Sequence, residues 1–484
     1  MEAFTQNYLE NVKYMDRTLR IGRSFDIIKR DLTIGEDIIT LYYIDGFIKD
    51  GVMQRIMQGF LSLKGLPRGR RAAKTFSEEN VSYVEVDVTD STERAILMVL
   101  SGAAVILGST FGGDVVVVDA RTYPARNTEE PETDRVMLGA RDGFVETLIF
   151  NTALLRRRIR DPRLTLQYIN MGGASKTDVV VCYMDGVADP KYVRAVKERL
   201  SQIRPASLTL GMQSLAECLI PRRWYNPFPK VRTTERPDAA AAHVTEGRVL
   251  IFCDTSPQVM VLPTSIFDFL QETDDFYMPP VTGTYLRLVR LFIFLLSYFL
   301  APVWYLLVTL EGSLPPWLAF IVPSERGDLP LLLQLYLAEL AIDGLKLASM
   351  NTPGLLANSL SVIGGLILGD FAVGIGWLSP DVIFYMAVVA IAGFSQQNIE
   401  LSYGVKFLRM ITLALVAFFG WIGLVAGALL SILLIVTNRT LNGKYSYLYP
   451  VIPFNGRALC RLLFRLPKWD VDQDGAGERG RKRD

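Results

Sequence analysis
The strongest constraint on this chain is the stretch from residue 288 to residue 437, which is apolar with only scattered charges. The first 287 residues carry most of the chain's acidic and basic groups. Overall 50% of the 484 residues are hydrophobic and 21% charged. Such a break in composition predicts two parts adapted to different solvents, the second being a lipid bilayer. The clearest span runs from Leu288 to Leu310, with Arg287 and Arg290 at its start. Basic residues favour the cytosolic side, so this helix is expected to run inside to outside. Further candidates are Gly354–Gly376, Pro380–Phe394 and Phe407–Val436. The last would be about 45 Å long as one helix. It is either a single tilted helix or a hairpin broken near Gly420, Gly423 and Gly427. A basic tail ending RGRKRD favours a cytosolic C-terminus and an even number of spans, four or six. The N-terminus shows no apolar core of signal-peptide length, so the first part is expected in the cytosol.

Leu329–Met350 decides the count. Its residues Tyr336, Glu339, Asp343 and Lys346 fall at i, i+3, i+7 and i+10, which aligns them on one helical face. A charge in hydrocarbon costs at least about 2.5 kcal/mol, so such groups face protein, water or each other. The segment is therefore either an amphipathic helix at the bundle or interface, with Lys346 pairing Asp343, or a helix facing a pore. Asp370 poses the same choice. Gly365 with Gly369, and Gly423 with Gly427, form GxxxG pairs that let helices approach closely, within one chain or between copies.

The charged first part is an internal duplication. IITLYYIDGFIKDGVMQRIMQGF (38–60) and DVVVCYMDGVADPKYVRAVKERL (178–200) each read as a buried strand, a Tyr-x-Asp-Gly turn and a helix. About 60 residues later each is followed by a hairpin pattern, at 103–120 and 248–264. The expectation is an α/β soluble region of two similar subdomains, then an α-helical transmembrane bundle. In residue ranges this gives an N-terminal extension (1–23), a first α/β subdomain (24–122), a linker helix region (123–164) and a second α/β subdomain (165–286). The bundle (287–437) and a basic cytosolic tail (438–484) follow. The linker's acidic start and basic end suit a helix dipole. Its Arg156, Arg157, Arg158 and Arg160 either bind phosphate or lipid headgroups or pair with acidic neighbours.

Several chemistries lack support. The net charge of +1 argues against a nucleic-acid binder. Cys182, Cys218, Cys253 and Cys460 are too scattered for a zinc site or disulfide framework, and His243 has no second histidine. GGASKT (172–177) lacks the P-loop glycine before its lysine. No catalytic, cofactor or metal site is expected.

The segment YPARNTEEPETDRVMLGARDGFVETLIFNTALLRRRIRDPRL (123–164) resembles the signature of the spore germination GerA family. SKTDVVVCYMDGVADP, YNPFPKVRTTERPDAAAAHVTEGRVLIFCDTSPQV and YLYPVIPFN extend the resemblance over nearly the whole chain. The forms YPAR, EEPETDR, ARDGF and TERPDAAAAH resemble the family's sporulation-protein branch more than its receptor A subunits. The resemblance implies a protein of the spore inner membrane, with both termini on the core side, acting when monovalent ions and then dipicolinate leave the core. It implies a homo-oligomer around a gated pore, with monovalent cations, lipid, copies of itself and other germination membrane proteins as partners. It supplies no settled catalytic residues. Combined with the helical stripe, it makes Tyr336, Glu339, Asp343, Lys346 and Asp370 the candidate pore or gating residues. In the runner-up expectation the chain is a non-conducting scaffold or receptor subunit.

Overall fold
A computed structural model describes residues 2–48, 50–122, 136, 138–203, 208, 211–220, 223–323, 327–351, 364–365, 369, 371–396, 398–438, 441 and 446–466. The chain divides into two compact units, Met1–Pro221 with Val231–Thr264, and Arg222–Lys230 with Ser265–Asp484.

The first unit begins with α1 (Tyr8–Leu19), capped by the Asn7 side chain. A sheet built from β1 (Ile27–Ile34), β2 (Asp37–Ile44), β3 (Val86–Thr89), β4 (Ala104–Gly108) and β5 (Val115–Val118) follows. Its helices are α2 (Asp50–Leu61), α3 (Ala72–Glu79) and α4 (Thr92–Ser101). After α5 (Leu148–Arg158) the pattern repeats as β6 (Leu164–Met171), β7 (Thr177–Met184), α6 (Pro190–Gln202), α7 (Met212–Leu219), β8 (Arg232–Thr234), α8 (Pro237–Thr245), β9 (Val249–Cys253) and β10 (Val259–Leu262). The strand orders are β1-β2-β4-β5-β3 and β6-β7-β9-β10-β8, and every pairing is antiparallel. The duplication is thus complete, including the outer strands β1, β3, β6 and β8 that the apolar pattern left unmarked. Those strands are half polar because only part of each is covered.

The central strands read as unbroken apolar runs because both faces of the first sheet are covered. Ile106 packs with Phe60 of α2 and Phe76 of α3, while its neighbours Val105 and Leu107 pack with Met15 of α1 and Val99 of α4. In the Tyr-x-Asp-Gly turns, Gly46 has φ 80° and Gly186 φ 81°, angles that a β-carbon disfavours.

Helix α5 is shorter than the linker's charge pattern implied, and the acidic start of that linker lies outside the described residues. Ala153 packs into the first repeat, whereas Leu148, Leu154 and Leu155 pack into the second. The arginine run is split in function. Arg158 pairs with Asp142, but Arg156 is fully buried. Its guanidinium grips both carboxylate oxygens of Asp26, at 2.8 and 3.2 Å. It also donates to the Asp161 and Leu164 carbonyls. Phe25 N–H donates to Leu166 O at 3.1 Å, so the segment before β1 meets β6 edge to edge. A buried, multiply bonded pair of this kind locks two repeats in register.

The second unit is helical. A single turn, α9 (Asp274–Tyr277), precedes α10 (Pro280–Thr309). Next come α11 (Leu331–Asn351), α12 (Pro380–Phe394), α13 (Ile399–Phe419), α14 (Trp421–Val436) and α15 (Gly456–Leu463). Among the described residues, α10 and α13 are long and apolar enough to cross a membrane, and α12 and α14 are shorter apolar helices. Helix α10 starts ahead of Arg287 and Arg290 rather than at them. Both arginines lie inside the helix because Asp275 and Glu272 neutralise them. The stretch 407–436 is a hairpin, not one long helix. It breaks at Gly420, whose φ of 58° and ψ of −134° suit glycine. Most of the candidate span 354–376 lies outside the described residues.

Candidate functional site in the helical unit
The site grows from two helices that each carry charge into an apolar bundle. Helix α11 presents Tyr336, Glu339 and Asp343 at intervals of three and four. Helix α13, held at its start by the Asn398 cap on Leu401 N–H, presents Lys406, Arg409 and Thr412 at intervals of three. These two stripes face each other.

Glu339 is only 7% exposed. One guanidinium nitrogen of Arg409 donates to both its carboxylate oxygens, at 2.8 and 2.7 Å. The other donates to Ser297 O of α10 at 2.6 Å. Arg409 thereby ties three helices together. Lys406 lies 3.4 Å from Glu339 and forms a direct ion pair with Asp343. Tyr336 donates to Met410 O of α13 at 2.7 Å. Two carboxylates thus meet two cations, the neutral arrangement that a low-dielectric bundle requires.

Below this ladder, Tyr298, Thr412 and Ser431 form a buried hydroxyl chain with O–O distances of 2.7 Å, joining α10, α13 and α14. A β-carbon at Gly423 would lie 2.0 Å from Leu415 O, and one at Gly427 would lie 2.4 Å from the Thr412 hydroxyl oxygen. In this chain these two glycines sit where α14 crosses α13. At Gly365 and Gly369 a β-carbon would meet no atom of the described residues within 4 Å. Asp370 lies outside the described residues.

The partner of Asp343 is Lys406, not Lys346 as the spacing along α11 implied. Lys346 instead sits 4.7 Å from the ring centre of Tyr403 and 5.5 Å from that of Phe394. One turn beyond Asp343, its amine meets aromatic faces, which attract a cation. Lys406 and Arg409 escaped the sequence reading. The apolar run was bounded at Phe407, so Lys406 fell outside it, and Arg409 inside it was not singled out. The available signal was two cations three apart in one apolar helix, matching two acids four apart in another.

The ladder runs from an enclosed end at Glu339 and Arg409 to a half-exposed end at Asp343 and Lys346. The outward face of α11 is apolar, with Leu333, Leu340, Leu347 and Met350 exposed. Among the described residues no cluster of three or more His, Cys, Asp or Glu could hold a metal ion.

A family model described as Bacillus/Clostridium GerA spore germination protein matches residues 14–475. Stage V sporulation protein AF of Bacillus subtilis is 37% identical over 465 residues, covering 96% of this chain and 93% of that protein. Spore germination protein KA of the same species is 26% identical, covering 93% of this chain and 83% of that protein. The crystal structure of the N-terminal domain of the A subunit of the Bacillus megaterium spore germinant receptor GerK3 aligns at 25% identity with a TM-score of 0.41. The alignment covers 54% of this chain and 96% of that domain.

Proposed function
The chain belongs to the GerA family of spore germination proteins, and on that premise we propose that this membrane protein is one subunit of a homo-oligomeric gated channel that releases monovalent cations from the spore core. The observation that carries the reading is the ladder of Glu339, Arg409, Asp343 and Lys406 inside an apolar bundle. Charges are kept at that depth where they serve an ion path or a moving part. One chain's helices enclose little, so the path forms between copies. In this assignment Asp343 and Lys346 border the water path, Tyr336 positions α11, and Asp370 is a secondary polar site. Glu339, held by Arg409, sets the position of α11 and draws the ladder open or shut. Carboxylates on the path favour cations. The protein acts in the spore inner membrane with both termini on the core side. It supports ion release alongside other germination membrane proteins rather than sensing nutrients.

The test is reconstitution of the purified protein in lipid bilayers, with its oligomeric mass measured in detergent. A ring-sized oligomer with cation-selective current, altered by Asp343→Asn while assembly persists, supports the reading. Unchanged current in that variant removes Asp343 from the path.

A second reading is a non-conducting scaffold or receptor subunit. It is favoured by the same ladder being satisfied within one chain, with only apolar residues on the outer face of α11. A mono- or dimeric protein that is electrically silent would select it.

A further inference from the structure
At one end of the helical unit two segments lie side by side, outside the proposed ion path. The first is 223–230, where Asn226 donates to Leu434 O at the close of α14 at 3.0 Å. The second is 446–466. Tyr447 donates to Pro229 O at 2.7 Å, which joins it to the first segment. Arg287 of α10 donates to Arg461 O at 2.9 Å, and Arg465 donates to Phe276 O at 2.8 Å. Both segments are therefore anchored where α10 begins and α14 ends.

Two features of this end bear on what it meets. Large aromatics stand out from it: Trp224 is 94% exposed and Phe454 76%, with Tyr449 and Phe464 also exposed. The stretch Ser446–Leu466 holds Arg457, Arg461 and Arg465 and no acidic residue. On a helical projection of α15, Arg457 and Arg461 occupy one side, and Leu459, Leu462 and Leu463 the other. Arginines opposite leucines, with aromatics at the rim, are the composition of a helix lying in a bilayer interface.

We propose that 223–230 and 446–466 form a collar that lies in the headgroup layer and binds anionic phospholipid. Its arginines meet the phosphates, and Trp224 and Phe454 insert beside the apolar helices. The collar rests on the placement of the helical unit in a bilayer, so the test includes a control for that placement.

Cys460 of α15 is exposed, Cys182 and Cys253 are buried and Cys218 is half-buried, so a Cys218→Ser protein takes a fluorophore at Cys460. The full chain is placed in nanodiscs containing brominated phosphatidylglycerol or brominated phosphatidylcholine in an otherwise identical bilayer. The expected result is quenching at Cys460 that is several-fold stronger with the brominated anionic lipid. Each arginine contributes up to about fivefold enrichment, so Arg223→Gln with Arg457→Gln should sharply reduce the preference. The control label, at Leu429→Cys on the exposed face of α14, should be quenched equally by both lipids. If the control is quenched and Cys460 is not, the collar is overturned. If Cys460 is shielded from water yet untouched by either lipid, a protein covers this end and the proposal is equally overturned. If the control itself is not quenched, the bilayer placement fails and the collar with it.

Discussion
Glu339→Gln is the most informative perturbation of the ladder. The wild-type cluster balances Glu339 and Asp343 against Lys406 and Arg409. Losing the Glu339 charge strands Arg409, whose other bonded partner among these groups is the neutral Ser297 carbonyl. Breaking a buried pair from one side costs about 3–5 kcal/mol. The reverse change, Arg409→Gln, leaves Glu339 within 3.4 Å of Lys406, so its cost should lie at the lower end of that range. The double variant leaves no stranded charge, so it should cost far less than the two singles added together. The singles should therefore be strongly non-additive, with a coupling of several kcal/mol. The assay is a double-mutant cycle on reversible unfolding in mixed micelles, followed by circular dichroism. Additivity within about 0.5 kcal/mol would show that the two side chains do not depend on each other and would refute the paired ladder.

Three further outcomes follow from the packing. Asp26→Asn should destabilise the first unit by about 3–5 kcal/mol, because Arg156 is then buried without its carboxylate. Hydrogen exchange should show β1 and β6 losing protection together, and unchanged protection would count against the lock between the repeats. Gly427→Val should disrupt the crossing of α13 and α14, where Thr412 leaves no room for a side chain, whereas Gly365→Val should be tolerated. Size-exclusion profiles of the two variants separate the cases. Thiol titration of the folded protein at pH 8 should show fast reaction at Cys460 and slower reaction at Cys218. Burial pushes the Cys253 thiol up to about 12 and the Cys182 thiol higher still. Thiolate is the reactive form, so both should stay silent until the protein unfolds. Fast reaction at four sites would contradict the buried strands β7 and β9.

Much of the architecture was legible because it rests on local pattern. The change in composition near residue 288 marks the apolar helical unit, since lipid and water select different residues along any chain. The duplicated strand, Asp-Gly turn and helix could be read from apolar runs and from glycines at positive φ. The outer strands β1 and β6 could not, because a half-covered strand loses the apolar run that marks a buried one. The break at Gly420 was open to either outcome. It depends on whether Gly423 and Gly427 meet α13, a contact made across the hairpin.

The candidate site shows the same division. Periodicity along α11 correctly placed Glu339 and Asp343 on one face, and spacing alone made Lys346 the nearest counter-charge. Only the tertiary structure decided that α13 turns Lys406 and Arg409 toward that face and that Lys346 rests on aromatic rings. Likewise the run Arg156–Arg160 was visible as charge, but its burial against Asp26 was not. A helical repeat fixes which residues share a face, and thus which of them need a counter-charge. It carries no information about the rotation of a neighbouring helix, and in a low-dielectric interior that rotation determines the partner.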